Sequence, residues 1–482
     1  MSLDISKEAL DEISSQAASL VFEYFAHIAE RPVMAPNRAG KTKAAVNVEL
    51  PLAGRPLAEL IAECRTVMDL SRHNGHPRFF GYVASPSTPV GAYADLIASA
   101  LNANITCWRS GPAGTEIEQL VVRWLGSLIR YDHDAKGLLT SGGSMANMIA
   151  LLIASRRKTG VAASRAGLWN AGPPMTIYAS EEVHMSIPKA ADILGFGRDQ
   201  VRLIACDERH RMRVDQLEKT LRTDQSNGFR PFCVVGSAGT VNTGAVDPLD
   251  EIANVARDFD LWLHVDGAYG APGVMAPDKR DLFAGLARAD SVSLDPHKWL
   301  YVPVDAGCLL FRDAVSAAVF SEDADYIKLH GHTDDAAFAY WDYGVELSRR
   351  FRALKVWLTL GYYGVERIAQ SIADDIALAA YMGEIVSQAE DFELLAPVEL
   401  SICCFRYVPR ELKGNDDQLN KLNEEIMGVV QKGGRAYLSN ATVNGNFALR
   451  ACITNFRTTK ADVELTIDVV RDAAKTVKDK IR

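Results

Sequence analysis

The stretch Ser291-Val292-Ser293-Leu294-Asp295-Pro296-His297-Lys298-Trp299 decides how this chain is read. Its first four residues make a short apolar run of strand character, and Pro296 ends it. A lysine is thereby left among polar neighbours just past a strand end. A matching unit lies upstream, Leu261-Trp262-Leu263-His264-Val265-Asp266-Gly267-Ala268-Tyr269, again an apolar run that finishes on a carboxylate. A lone aspartate at a strand end ordinarily forms a turn or caps a helix. Asp266 and Lys298, however, are separated by about one strand–helix–strand crossover, roughly 30 residues. That spacing allows both to stand at the carboxyl edge of adjacent or nearby parallel strands.

Working outward, the same alternation covers most of the chain. Apolar runs at Gly137–Thr140, Thr176–Ala179, Phe232–Ser237, Leu261–Val265, Ser291–Leu294 and Ala306–Phe311 are separated by longer helical or loop stretches. The pattern predicts an α/β fold, a large mixed, mostly parallel sheet with helices on both faces. Ligands of such sheets bind beyond the carboxyl ends of the strands. Residues 1–75 are expected to form an N-terminal helical arm, with Leu10, Ile13, Ala17, Leu20, Val21, Tyr24, Phe25 and Ile28 at helical spacing over 7–30. Residues 76–374 form the large domain. Residues 375–482 read as a small α+β domain with a strand near Glu399–Phe405, a helix ending at Gly433-Gly434, a hairpin turn at Asn444-Gly445 and a last helix after Thr459. Around 320–348 the regularity fails, and the polar run His330-Gly331-His332-Thr333-Asp334-Asp335 suggests a functional loop.

Composition narrows the classes of function. With 482 residues, 48% hydrophobic and 23% charged, the chain is an ordinary globular sequence of more than one domain. A formal charge of −9 argues against nucleic acid or an anionic membrane as partner. The longest apolar stretch, Met148 to Ala154, is far short of the ~20 residues of a membrane span. Eight scattered cysteines, with no C-x-x-C pair, predict free thiols in a reducing compartment and no metal centre. The first residues show no basic stretch followed by an apolar one, so the expected location is cytoplasmic.

Three further strand ends carry polar groups. Leu138-Leu139-Thr140-Ser141-Gly142-Gly143-Ser144 is a strand, a glycine turn and a helix start, with Ser144 as the expected N-cap and a phosphate as a suitable ligand. Its structural alternative is a plain strand-to-helix turn. His184 follows the run Thr176–Ala179, and Thr240 follows Phe232–Ser237. The imidazole could stack on a ring, and the Thr240 hydroxyl could equally reach a ligand or bond its own turn. A carboxylate for a ring nitrogen and a lysine for a ring aldehyde are what pyridoxal 5′-phosphate (PLP) requires. The lysine needs its neutral form, so a site that lowers its pKa is expected.

With these segments in order, the chain resembles the group II PLP-dependent amino-acid decarboxylases of fold type I, a family that includes aromatic L-amino-acid, glutamate, cysteine sulfinate and histidine decarboxylases. The resemblance runs over about residues 70–460. It rests on His76-Pro77-Arg78-Phe79-Phe80, Gly111-Pro112-Ala113-Gly114-Thr115-Glu116, His264-Val265-Asp266-Gly267-Ala268, Asp295-Pro296-His297-Lys298 and Arg349-Arg350-Phe351-Arg352. It implies that Lys298 forms the Schiff base, Asp266 pairs with the pyridinium nitrogen and His184 stacks on the ring. It further implies that Gly143 and Ser144 hold the phosphate with His297 nearby, that Ala268 lies beneath the ring, and that Thr240 lies near its phenolic oxygen. Counting back from Arg349, Tyr340 falls where the family carries a proton-donating tyrosine, with Tyr343 as the alternative. Phenylalanine at that place resembles aldehyde synthases instead. The family forms homodimers with the site at the interface. The expected substrate is an amino acid, an aromatic one first, although Val83, Ala84, Asn104 and Thr106 are smaller and more polar than an aromatic pocket and Arg109 would suit an acidic side chain.

Overall fold

The computed structural model describes residues 3–35, 39–160, 167–168, 172–313, 319–320 and 338–481. The run His330–Asp335 lies outside the described residues. Twelve strands occur among those described: β1 Phe79–Phe80, β2 Lys136–Thr140, β3 Met175–Ser180, β4 Val201–Ile204, β5 Arg230–Ser237, β6 Trp262–Asp266, β7 Ser291–Leu294, β8 Gly307–Phe311, β9 Phe392–Leu394, β10 Ile402–Tyr407, β11 Tyr437–Val443 and β12 Asn446–Cys452. Seven form the large sheet in the order β2-β8-β7-β6-β5-β3-β4. Its central pairs β6–β7, β5–β6, β3–β5 and β3–β4 are parallel, while β8 runs antiparallel to both of its neighbours. Strands β3, β6, β7 and β8 are buried at every position, as a sheet covered on both faces requires.

The six expected apolar runs are all strands of this sheet, each within two residues of its predicted ends. The edge strand β4, whose four residues are only half buried, gave no apolar run to recognise. Between β6 and β7 the chain crosses over in 3-10 turns (Ala271–Met275, Pro277–Phe283, Leu286–Arg288) rather than an α-helix, and still delivers two adjacent parallel strands.

The smaller sheet has the order β1-β11-β12-β10-β9. The hairpin turn at Asn444-Gly445 joins β11 to β12, with Asn444 at φ 50° and Gly445 at φ 78°. Phe79-Phe80 pairs in parallel with Tyr437-Leu438, so the segment grouped with the large domain from residue 76 begins inside the small sheet. The helix Val365–Gln388 likewise runs across the expected division at 374/375. Its Ile368, Ile372 and Ile376 join the large core, and Leu378, Ala379, Met382 and Val386 join the small one. In the arm, Lys7–Ala26 is α-helical, and a separate 3-10 turn at Ile28–Glu30 ends the predicted 7–30 helix early.

The family motif Arg349-Arg350-Phe351-Arg352 is a packing device. The buried Arg349 guanidinium meets Glu118 at 2.5 Å and donates to the carbonyls of Ile105 and Leu139. Glu118 in turn accepts from the Leu139 N–H at 2.8 Å. A buried charge of this kind is tolerable only when paired and hydrogen-bonded on several sides, and here one guanidinium ties three segments together.

Candidate active site

The carboxyl ends of β3, β5, β6 and β7 and the turn after β2 converge on one cavity of about 500 Å³. Its walls include Gly143, Ser144, Asn147, His184, Thr240, Asp266, Ala268, His297 and Lys298, and the small domain adds Ser439, Asn440 and Arg450. Eight of the ten residues named from the sequence for one site, counting Tyr340 and its alternative Tyr343, therefore share a single space.

Asp266 ends β6 and is almost saturated with donors. Its Oδ2 accepts from Asn147 Nδ2 at 2.8 Å, and its Oδ1 accepts from Ser293 Oγ at 3.1 Å and the Ala268 N–H at 3.2 Å. Burial pushes its pKa up, but the His184 imidazole, the Lys298 ammonium and the Ala268 N–H together outweigh burial and hold the carboxyl below its usual range. His184 Nδ1 lies 2.8 Å from Ser186 Oγ and 3.2 Å from the Ser186 N–H, and burial lowers its pKa, keeping the ring neutral.

Lys298 follows β7 in a tight turn, its N–H bonded to the Asp295 carbonyl. The turn is anchored from behind. Trp299 is fully buried, stacks on Tyr269 at 5.1 Å and donates to Asp375 at 3.0 Å, while the Tyr301 hydroxyl donates to the same oxygen at 2.7 Å. Asp375 also accepts from the Asn455 N–H of the small domain, and burial pushes its pKa up to about 7. The Lys298 ammonium itself lies 3.0 Å from Asp295 Oδ2. Burial would lower its pKa, but Asp295 and Asp266 reverse the sign and hold it above the ordinary lysine range. This corrects the expectation of a depressed lysine: two carboxylates keep it charged. The second Asp295 oxygen, Oδ1, is buried with no hydrogen-bond partner.

The helix Gly143–Thr159 starts at the cavity, so its first N–H groups are free to meet an anion. Its cap is Gly142, with no side-chain bond, and Ser144 lies in the first turn rather than at the expected N-cap. At Gly143 a Cβ would come within 2.9 Å of the Ala268 Cβ and 3.0 Å of Asp295 Oδ2, so only glycine fits the approach. His297 packs its Nδ1 on the Ala306 backbone and holds Nε2 3.8 Å from Asp295. Thr240 lines the cavity, yet its hydroxyl is engaged in its own turn, 3.0 Å from Thr243 Oγ1 and accepting from the Ala245 N–H at 3.1 Å.

Tyr340, the expected proton donor, stands outside the cavity of its own chain. It is fully buried under the Arg349 guanidinium (3.9 Å), with Phe338 edge-on at 4.9 Å and its hydroxyl 3.5 Å from the Thr115 carbonyl oxygen. Tyr343 stacks between Phe311 and Phe338. Neither lines the cavity. Tyr340 thus packs against Arg349 and Tyr343 between two phenylalanine rings. Among the substrate positions, Val83 lines the cavity, whereas Asn104 caps the Arg349 N–H at 2.8 Å and Arg109 is exposed away from it.

Three residues were missed from the sequence. Asn147 lies in the helix Gly143–Thr159, past the glycine turn from which the phosphate site was read. Asp295 was read only as part of the lysine motif. Arg450, buried on β12, donates to the carbonyls of Asn242 and Tyr82 and to Ser439 Oγ, and keeps Nη2 without a partner at the cavity. A buried arginine in the middle of a strand was its one available signal.

The groups present fit PLP: an amine on one strand end, a carboxylate on the next, an imidazole beside them, and a helix N-terminus with glycine clearance. Fold and site together define a fold type I PLP enzyme. The family model for the pyridoxal-dependent decarboxylase conserved domain matches residues 39–408. The chain is 35% identical over 463 residues to an aromatic-L-amino-acid decarboxylase of Bacillus atrophaeus, covering 96% of this chain and 94% of that one. It is 27% identical to a phenylacetaldehyde synthase of a Rosa hybrid cultivar, covering 95% and 92%. Among solved structures, mouse CSAD superposes with TM-score 0.92 at 28% identity over 98% of this chain and 99% of that one. Oryza sativa TDC with PLP and tryptamine superposes with TM-score 0.91 at 26% identity over 99% and 100%. This chain belongs to the pyridoxal-dependent decarboxylase family, and its cofactor is PLP.

Proposed function

We propose that this protein decarboxylates an aromatic L-amino acid at Cα, releasing CO₂ and the amine, as a cytoplasmic homodimer whose sites lie at the interface. The observation that carries the reading is the convergence of Lys298, Asp266 and His184 on one cavity beside a glycine-cleared helix N-terminus. Bound PLP supplies an aldehyde that condenses with amines and a protonated ring that accepts the electrons of the breaking Cα–carboxyl bond.

Each role follows from the chain's own groups. Lys298 carries the amine that tethers the cofactor and later displaces the product. Asp266, an ionised acceptor fixed by three donors, holds the proton at the ring nitrogen. His184 and Ala268, which both line the cavity, would hold the ring between them. The N–H groups at Gly143 and Ser144, with His297 nearby, would hold the phosphate, and Thr240 would serve the phenolic oxygen. Dimerisation is supported by uncovered apolar faces. The helix Leu57–Leu70 buries no residue, and Leu10, Ile13, Phe22, Leu60, Val67, Tyr93, Leu96 and Ile97 are exposed.

A second reading, an acidic amino acid as substrate, is favoured by Arg450, whose unpartnered Nη2 would pair with a side-chain carboxylate. The test is a screen of the proteinogenic amino acids, DOPA and 5-hydroxytryptophan, following CO₂, amine, aldehyde and peroxide together. Equal CO₂ and amine from an aromatic substrate is expected. Turnover confined to acidic amino acids selects the second reading, and aldehyde with peroxide in place of amine identifies an aldehyde synthase. Sedimentation of a monomer at micromolar concentration would remove the dimer.

A further inference from the structure

We infer that Asn147 is a positioning residue that fixes two cofactor-facing groups at once, the carboxylate of Asp266 and the Nε2–H tautomer of His184. The inference deepens the PLP reading above, but its evidence is the direction of hydrogen bonds within this chain.

Asn147 is buried in the second turn of the helix Gly143–Thr159. Its Nδ2 lies 2.8 Å from Asp266 Oδ2 and 2.9 Å from Ser186 Oγ, and its Oδ1 lies 3.0 Å from His264 Nε2. The carboxylate can only accept, so the amide nitrogen must face it; the reversed amide would set oxygen against oxygen. Both amide protons are then spent, on Asp266 and on Ser186 Oγ. The Ser186 hydroxyl, already an acceptor, gives its own proton to His184 Nδ1 at 2.8 Å. The Ser186 backbone N–H points at the same nitrogen from 3.2 Å. Two donors on Nδ1 make it the lone-pair nitrogen, so the ring proton sits on Nε2. An imidazolium would press an N–H against both donors.

The other side of the amide closes in the same sense. His264 Nε2 must donate to Asn147 Oδ1, which leaves its Nδ1 to accept from Ser291 Oγ at 2.9 Å. The Trp262 indole N–H donates to that Ser291 oxygen at 2.8 Å. Trp262, Ser291, His264, Asn147, Ser186 and His184 thus form one chain in which each proton has a single direction, with Asp266 branching from Asn147. Among these groups the titratable ones are Asp266, which faces His184, Lys298 and His264, His184, which faces Asp266, Lys298 and Asp295, and His264, which faces Asp266. Such a network orients Asp266 and His184 before any ligand arrives, and removing Asn147 releases both.

The experiment is long-range ¹H–¹⁵N correlation NMR of histidine-labelled, cofactor-free protein, wild type against N147L and S186A, assigned with H184Q and H264Q. Wild type is expected to show both His184 and His264 as Nε2–H tautomers at neutral pH. S186A is expected to disturb His184 alone, and N147L to mix the tautomers of both. In the PLP-loaded enzyme N147L is expected to lower kcat about 10- to 100-fold, the scale of one lost hydrogen bond to a charged group, with a smaller change in KM. A wild-type His184 protonated on Nδ1 overturns the inference, as does a folded N147L whose His184 signal and kcat match wild type. If N147L fails to fold, the wild-type tautomers and S186A still decide. Absence of decarboxylation by wild type would remove the proposed activity and leave the tautomer result standing.

Discussion

The two carboxylates of the cavity occupy opposite kinds of surroundings. Asp266, on the floor, accepts from a side-chain amide, a hydroxyl and a backbone N–H, and both of its oxygens are engaged. Asp295, on the wall, gives one oxygen to Lys298 at 3.0 Å and leaves the other buried and unpaired. A saturated acceptor is preorganised: its position is the same whatever enters. An unsaturated buried oxygen carries a desolvation cost that a new donor relieves. The floor is finished by the protein, and the wall is arranged to change when Lys298 exchanges its partner.

Three substitutions sharpen that contrast. The largest effect is expected at the floor. D266N removes the charge that holds a proton on the ring nitrogen and turns an amide donor toward Ser293 or Asn147, so kcat should fall on the order of 10²-fold or more. A loss under tenfold in steady-state assays would make the floor no more special than the wall. D295N should act more gently and through pH. Because Asp295 and Asp266 raise the Lys298 pKa, the wild-type amine stays protonated through the ordinary lysine range and captures cofactor faster as pH rises. Removing one carboxylate should shift that rise toward lower pH, read from the rate at which the visible absorbance band forms. An unchanged or upward-shifted profile would mean that Asp295 does not set the lysine's charge. The smallest effect is expected outside the cavity. Y340F deletes a hydroxyl whose contact is already long at 3.5 Å. It should change stability by no more than about 1 kcal/mol and leave the amine-to-aldehyde ratio unchanged. A switch to aldehyde in Y340F would return the catalytic role to Tyr340.

Sequence legibility follows the same division. Lys298, Asp266, His184 and Thr240 each sit just past an apolar run, and a strand's end is a local property, so their convergence could be read from pattern plus parallel topology. The edge strand β4 was invisible because half-buried residues carry no continuous apolar signal. The boundary at 374/375 fell inside one helix because that helix feeds two cores with the same 3.6-residue stripe. The packing of Tyr340 was not legible for a different reason. Its distance along the chain from Arg349 is fixed, but the side on which a phenol packs is chosen by Arg349, Phe338 and Thr115.

What the amino-acid sequence determined by itself is the α/β architecture, the strand-end residues and hence the family and its cofactor, because strand periodicity, turn residues and the lysine motif are all short-range. Tertiary structure alone decided the charge on Lys298, the packing of Tyr340 and the role of Asn147. Asn147 and Asp266 are 119 residues apart in the chain and 2.8 Å apart in the fold. No local pattern encodes such a pair. It exists only once the order of the sheet has set the helix Gly143–Thr159 against β6, and the hydrogen-bond directions then follow from which atoms can donate.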